Sequence, residues 1–513
     1  MRKFNATGLC NPNKHYMVDI SDKIEKIKTL IENEQYFIIN RPRQYGKTTT
    51  LYLLKRELTR EYLVISISFE GIGNDAFNSE KNFINRFLSL IGRKIKLSSK
   101  DSFEKFSSLN KDINNFLELS DFISDFIMEL HKDVILIIDE VDKSTDNQLF
   151  LDFLGMLRNK YLERESGEET TFKSVILAGV YDIKNIKLKL RKNEEKKYNS
   201  PWNIAVPFNI DMSLHQEGIE EMLNEYALDR TLKFDTSKAA EFIYFYTNGY
   251  PFLVSRLCQI IDEDLNGVWT EETMIKSVKA LLSESNTLFD DLIKNVENNN
   301  ELKEYIYDII INGTIISFNI DNPIIKLGVI FGYFKDFNGK VKISNRVFEQ
   351  RLYNYYISKL EKKVDMAGYN IKSAFIEDDR LNIEKILLRF QQFMKEEYSS
   401  KNAEFLENHG RMLFLSFITP IINGVGFAFK EVQISEEKRL DVVITYNCHK
   451  YIIELKIWRG EQYHEAGVKQ LSNYLNINGQ DKGYLLVFNF NKNKEYKQEN
   501  LTVNNKEIFV AFV

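Results

Sequence analysis

Apolar, β-branched runs recur through the first 210 residues, and the stretches between them have the three- and four-residue apolar spacing of helices. The runs are YFIIN (36–40), YLVISISF (62–69), VILIIDE (134–140), SVILAGV (174–180) and NIAVPFNI (203–210). Near-continuous apolar strands alternating with helices predict a parallel sheet covered on both faces. Residues 211–290 then read as amphipathic helices alone: IEEMLNEYAL, AAEFIYFYTN and FLVSRLCQIIDEDL. Between two of these, NGYPFLV lets Gly249 end one helix and Pro251 open the next. Short helices follow, then a hairpin in FNGKVKIS turning on Asn338-Gly339, then another apolar helix. From 384 the pattern is helix, helix, three strands (FAFKEVQI, RLDVVITYN, KYIIELKIW), helix and strand (KGYLLVFNF). The chain therefore reads as α/β and multidomain. The expected segments are a parallel-sheet domain (1–210), a helical segment (211–299), a winged-helix-like module (300–360), a linker with short helices (361–383) and a second α/β core (384–513).

A length of 513 residues exceeds one ordinary core, and 43% hydrophobic with 28% charged residues describes a globular chain. A net charge of −5 gives no overall pull toward polyanions, so any such binding rests on a local basic patch. Cys10, Cys258 and Cys448 are far apart and form no CxxC pair, which fits a reducing cytoplasm. The N-terminus is polar and no run of 18 apolar residues occurs, so neither secretion nor membrane spanning is expected. Seven prolines with abundant Lys, Asn and Ile fit a bacterial source.

Two segments add chemistry. In FIINRPRQYGKTTT a strand enters a loop that opens a helix, which is where backbone N–H groups cradle phosphate. Arg43, Gln44, Tyr45, Gly46, Lys47, Thr48 and Thr49 form that loop, with Lys47 set to reach the β/γ-phosphates and Thr48 to ligate Mg²⁺. Arg41 stands where the GxxxxGK[ST] pattern has its first Gly. VILIIDEVD supplies the partner: Asp139 to hold Mg²⁺ and Glu140 to activate the attacking water of an ATPase. Gly179, Tyr181 and Asp182 end the fourth run, where either a γ-phosphate sensor or a plain turn is expected.

The second segment is RLDVVITYNCHKYIIELK. Asp441 starts one strand, while Glu454 and Lys456 share a face of the next across a turn at 447–450. Two carboxylates with the Leu455 carbonyl can coordinate Mg²⁺, and Lys456 can position water and stabilise developing charge on a phosphodiester. Charged residues within IIELKIW are costly to bury without partners, and a metal is an economical one. His449 and His464 have no partner at ligand spacing and read as turn and helix-surface residues.

The loop RPRQYGKTT, the DEVD strand and GYPFLV together resemble the AAA-ATPase-like family, similar to signal-transduction P-loop ATPases, over residues 1–290. This resemblance implies that 211–299 is a lid, that Gly249 and Pro251 touch nucleotide, and that Tyr16 and Asp19 of KHYMVDIS lie near its base. It also implies self-association on activation. RLDVVITY, YIIELKIWRG, GVKQLSNYL and KGYLLVFNFNK resemble the PD-(D/E)XK nuclease domain, a restriction-endonuclease-like core. That likeness adds Glu407, Glu431 and Gln470 as accessory positions, with an exposed helix residue as the second reading of Gln470. In the middle module Lys335, Lys340 and Lys342 suit phosphate contact, although a docking role is favoured because the following helix is not strongly basic. The expected protein is a cytoplasmic ATPase using ATP and Mg²⁺, coupled to a Mg²⁺-dependent nuclease acting on nucleic acid, DNA ahead of RNA, in defence or DNA maintenance. The alternative is a nucleotide-switched nucleic-acid-binding or signalling protein whose nuclease-like domain does not cut.

Overall fold

The computed structural model describes residues 2–110, 112–144, 147–180, 202–312, 314–361, 375–377, 380–398, 413–415, 417–418, 422, 426–430, 440–446, 449–491 and 494–513. They form two compact units, one of Met1–Glu284 with Lys326–Phe334, the other of Ser285–Ile325 with Lys335–Val513.

In the first unit β1 (Phe37–Asn40), β2 (Leu63–Ser68), β3 (Val134–Asp139) and β4 (Ser174–Gly179) form an all-parallel sheet in the order β1-β4-β3-β2. The helices around it are α1 (Ser21–Glu32), α2 (Lys47–Leu58), α3 (Glu80–Ser98), α4 (Lys100–Leu109), α5 (Phe116–Glu129) and α6 (Gln148–Glu165). Side-chain alternation assigns the two faces. Phe37, Ile39, Ile135, Ile137, Ile176 and Ala178 pack with Ile24, Ile27, Leu51 and Leu54 of α1 and α2. Ile38, Ile65, Ile67, Leu136, Ile138 and Leu177 pack with Phe83, Phe122 and Phe153 of α3, α5 and α6. Burial on both faces is why these runs are continuously apolar.

The fifth run, 203–210, is not a strand. It makes a single parallel bridge, Val206 with Phe37, in which the Val206 N–H donates to the Tyr36 carbonyl at 2.9 Å. Pro207 follows and has no N–H to continue a ladder. Helices α7 (Gln216–Arg230), α8 (Thr236–Thr247), α9 (Pro251–Gln259) and α10 (Glu271–Ser283) come next, with a π-turn at Ile260–Asp264 extending α9.

The second unit begins with α11 (Thr287–Asn298) and α12 (Asn300–Tyr307), while α13 (Pro323–Ile330) leads the chain back into the first. Strands β5 (Phe334–Phe337) and β6 (Lys340–Ile343) form the hairpin, turning on Asn338 (φ 52°) and Gly339 (φ 75°) ahead of α14 (Arg346–Glu361). Within the expected linker 361–383 the described residues include the antiparallel pair β7 (Ile376–Glu377) and β8 (Arg380–Leu381); 362–374 lie outside the described residues. After α15 (Ile383–Tyr398) come β9 (Gly426–Lys430), β10 (Leu440–Tyr446), β11 (His449–Ile457), α16 (Glu461–Ile477) and β12 (Lys482–Phe488). Two further strands, β13 (Gln498–Val503) and β14 (Lys506–Phe512), complete a mixed sheet in the order β13-β14-β12-β11-β10-β9. Sequence reading missed both, although Asn504 and Asn505 have the positive φ of a two-residue turn between apolar segments.

A charged knot ties α11, α12 and α14 together. The Glu297 carboxylate accepts from Lys303, Lys359 and the Tyr355 hydroxyl. The Lys303 bond leads in holding the Glu297 pKa down at about 2, below its ordinary 4.5. A depressed folded-state pKa stabilises fully above about 4.5 and is lost as pH falls toward 2. Glu297→Gln should lower stability by about 1 kcal/mol or less at neutral pH, since the group is partly solvated. In urea titrations across pH, the gap from wild type should close between those two values; a gap independent of pH would refute this account.

Candidate functional site

The loop between β1 and α2 is shaped by two left-handed residues, Gln44 (φ 55°) and Gly46 (φ 81°). Gly46 caps α2, so the helix starts at Lys47 with its N-terminal N–H groups facing the loop. The Lys47 side chain is buried, and its ammonium donates to the Arg41 and Pro42 carbonyls, each at 2.9 Å. Burial pushes its pKa down, while Asp142, Glu140 and Asp139 pull the other way. Thr48 is exposed, and Thr49 Oγ1 accepts from the Cys10 N–H at 3.1 Å. Arg41 turns away from the loop: its guanidinium donates to the Phe208 and Ile210 carbonyls (3.1 and 2.6 Å) and lies 4.9 Å from the Phe208 ring centroid. In this chain the residue at the missing glycine anchors the segment after Pro207.

At the end of β3, Asp139 is half-buried and accepts from the Glu140 N–H at 2.9 Å; burial raises its pKa. Glu140 adopts φ 56°, a strained conformation for a side chain of this kind. Sequence reading overlooked Asp142. It accepts from the Val180 N–H at 2.7 Å, and a Cβ on Gly179 would stand 2.7 Å from its Oδ1. The third acid of DEVD was the available signal. Tyr181 and Asp182 lie outside the described residues.

The helical segment reaches this loop. Asn248 and Gly249 are both left-handed, and Pro251 is the first residue of α9. A Cβ on Gly46 would contact the Pro251 ring at 3.8 Å, the Tyr250 hydroxyl donates to the Arg43 carbonyl, and the Tyr45 and Tyr250 rings meet edge to face at 4.8 Å. Gly332, in the segment that returns to this unit, presses on Pro42, since a Cβ there would come within 2.5 Å of the proline ring. The Tyr16 ring is committed to an aromatic group with Phe4 and Tyr226. Asp19 lines a cavity of about 380 Å³ with Val18, Ile20, Leu53 and Arg56.

In the second unit Asp441 stands directly opposite Glu454 in the β10–β11 register, and directly opposite residues of a ladder lie on one sheet face. The side chain of Asp441 is outside the described residues, as are Glu407 and Glu431. Val443 and Ile452, on the same face, pack under Val468, Leu471 and Leu475 of α16. Glu454 is 2% exposed. The Lys456 ammonium lies 3.3 Å from the Glu454 carboxylate, donates to Gln470 Oε1 at 3.3 Å, and sits 5.1 Å from the Tyr463 ring centroid. Gly467 makes this arrangement sterically feasible, because a Cβ there would stand 2.5 Å from the ammonium. A glycine within a helix is the signal that could have found it. Leu455 buries its side chain in the sheet. His449 begins β11 rather than sitting in the turn, and His464 packs between Trp458 and Phe512 instead of facing solvent. Among the described residues no group of three or more His, Cys, Asp or Glu is placed to hold a metal ion. The donors that suit Mg²⁺ are the Glu454 carboxylate, the Leu455 carbonyl and the residue type at Asp441.

Residues 12–358 match the family model of the AAA-like domain, and residues 423–499 match that of the PD-(D/E)XK nuclease superfamily. No curated protein matches the chain. Among solved structures it is similar to the Walker-type ATPase of Pyrococcus abyssi, at 15% identity and a TM-score of 0.47, covering 68% of this chain and 99% of that one. It is also similar to the Aeropyrum pernix ORC2 protein in ADPNP–ADP complexes (12% identity, 66% and 94% covered, TM-score 0.34). The Aeropyrum pernix ORC1 protein in complex with DNA gives 12% identity, 67% and 94% coverage, and a TM-score of 0.29. No helix among the described residues is long and apolar enough to cross a membrane.

Gly249, which precedes the loop-contacting Tyr250 and Pro251, has no room for a side chain. It has φ 70°, and a Cβ would fall 2.0 Å from the Leu214 carbonyl oxygen, a main-chain atom. Gly249→Ala should destabilise the α8–α9 turn by about 2–4 kcal/mol, combining left-handed strain with overpacking. Hydrogen exchange of 236–259 reads this directly, and unchanged protection would refute it.

Proposed function

The chain belongs to the AAA-like domain family, and we propose that it binds and hydrolyses ATP in its first unit and cleaves nucleic acid with its second. The observation that carries the reading is the pairing of two charged constellations with matching chemistry on one polypeptide. One is Lys47 at a helix N-terminus with Asp139, Glu140 and Asp142 nearby. The other is Glu454, buried beside Lys456, with Asp441 across the ladder.

In the first unit, Lys47 exchanges its carbonyl partners for β/γ-phosphate oxygens, and the N–H groups opening α2 bind the same anion. Thr48, with Asp139, would hold Mg²⁺, which would supply neutralisation of phosphate charge. Glu140 orients and deprotonates the attacking water. Arg43, Gln44, Tyr45, Gly46 and Thr49 shape the cradle, and Gly249 and Pro251 bring the lid to it. In the second unit, Asp441, Glu454 and the Leu455 carbonyl would hold Mg²⁺, which would supply Lewis-acid polarisation of the phosphodiester and its attacking water. Lys456, steered by Gln470, positions that water and stabilises charge in the transition state. Glu407 and Glu431 are accessory acids in this reading, DNA is the favoured substrate, and the domain division expected from sequence is retained. ATP gates cutting if it binds two lid arrangements with different affinity.

Lys47→Ala should weaken ATP binding roughly 10- to 100-fold through loss of a charge-assisted contact. Glu140→Gln should keep binding and lower hydrolysis by about 10²–10⁴-fold. Equilibrium nucleotide binding and turnover check both; wild-type hydrolysis by Lys47→Ala would overturn the assignment.

Asp441→Ala and Glu454→Ala should abolish metal-dependent cleavage, and Lys456→Ala should lower it by about 10²–10³-fold while sparing metal binding. Gly467→Ala should keep the fold, because its Cβ meets the flexible end of Lys456, yet reduce cutting by displacing that ammonium. The assay is cleavage of single- and double-stranded DNA and RNA over a Mg²⁺/Mn²⁺ titration, with and without ATP, using ATPase rate as the folding control. If the wild type cuts nothing under any condition, the chain is a nucleotide-switched binder.

A further inference from the structure

Tyr463 stands beside the acidic pair and lysine of the second unit with no part in the chemistry assigned to them. Positions 463, 467 and 470 fall on successive turns of α16, so Tyr463, Gly467 and Gln470 form one stripe along the helix. The stripe runs over Lys456. Its ammonium donates to Gln470, fills the space left by Gly467, and lies 5.1 Å from the centroid of the Tyr463 ring. From the sheet the Glu454 carboxylate approaches the same ammonium to 3.3 Å. The Lys456 side chain is 11% exposed, whereas Tyr463 is 41% exposed. Among the described residues the neighbouring rings are committed to the core: Trp458 and His464 pack on each other and on Phe512, all at 5.4–5.6 Å. The charged centre is therefore sunk between sheet and helix, with one aromatic ring beside it left open to water.

Contact with the ammonium occupies part of this ring, and the exposed remainder is flat apolar surface held next to the group that would act on a phosphodiester. The flat surface that arrives with a phosphate is a base, joined to it through a single sugar. In a duplex each base has both faces covered by its neighbours, so a docked backbone would bring only sugar to the ring. An unpaired base has a face to offer, and stacking on an aromatic side chain is open to every base. We propose that Tyr463 stacks on an unpaired base beside the phosphodiester engaged at Lys456, which makes single-stranded nucleic acid the substrate of this site. The proposal rests on the reading of Asp441, Glu454 and Lys456 as a nuclease centre.

Stacking is separated from phosphate contact by comparing a labelled oligothymidylate with an abasic oligomer of equal length, which keeps the phosphates and lacks the bases. Fluorescence anisotropy of the full chain in chelator reads both, so that cleavage plays no part. Wild type should bind the oligothymidylate about 5- to 100-fold more tightly than the abasic oligomer. Tyr463→Ala should close most of that gap, and Tyr463→Phe, which keeps the ring, should preserve it. With Mg²⁺ restored, Tyr463→Ala should slow cutting of the single strand by a similar factor and leave cutting of a duplex little changed. Should Tyr463→Ala misfold, the wild-type comparison and Tyr463→Leu decide. Equal affinity of wild type for the two oligomers, no binding of either, or a gap unchanged in Tyr463→Ala would each overturn the proposal. So would an equal loss of cutting on single strand and duplex, which is what a ring that only holds Lys456 in place would give. A gap that closes in Tyr463→Ala while wild type cuts nothing would instead remove the nuclease reading and keep the stacking site.

Discussion

An ammonium taken out of water must be surrounded by oxygen atoms, and the first unit is organised around meeting that demand at Lys47. Two of the oxygens are carbonyls of its own loop, which requires the tight path set by Gln44 and Gly46. The opposing charge comes from the acids after β3, and β4 lies between β1 and β3 in the sheet. The acids must therefore act across the end of β4, which is where Asp142 grips the Val180 N–H. Loop, strand order and strand ends thus answer one electrostatic requirement. The α8–α9 turn, through Tyr250 and Pro251, is built onto the same loop.

The second unit handles buried charge differently. Its pair lies on the face of a sheet under a helix, with opposite charges two residues apart on one strand. The space needed comes from the helix, which has no side chain at Gly467 where the Lys456 ammonium lies. A lysine so confined has few alternative rotamers, which is the preorganisation that a group acting on a transition state needs.

Much of this was legible in the residues. Gly46-Lys47-Thr48 between a buried strand and a helix leaves few other readings, because the loop must bend left-handed at the helix start. The parallel sheet followed from strands apolar at every position, whereas the pairing of Asp441 with Glu454 did not follow from a turn placed at 447–450, because β11 already begins at His449. What escaped was set by contacts distant in sequence. Pro207 ends a strand-like run by withholding a single hydrogen bond, and Arg41 then takes the carbonyls beyond it. Asp142 and Gly467 matter through partners 38 and 11 residues away, so a third acid and a mid-helix glycine mark the positions without naming those partners.

The chain passes between its two units at 284/285, 325/326 and 334/335, so neither unit is a contiguous stretch. The short return, 326–334, brings Gly332 against Pro42 of the phosphate loop. Modular exchange is constrained accordingly. A recombination event that replaced everything after 334 would hand the first unit whole to a new effector. One at 284 would strip the phosphate loop of a surface it packs against, so lineages that swap effectors should keep their junctions beyond the return.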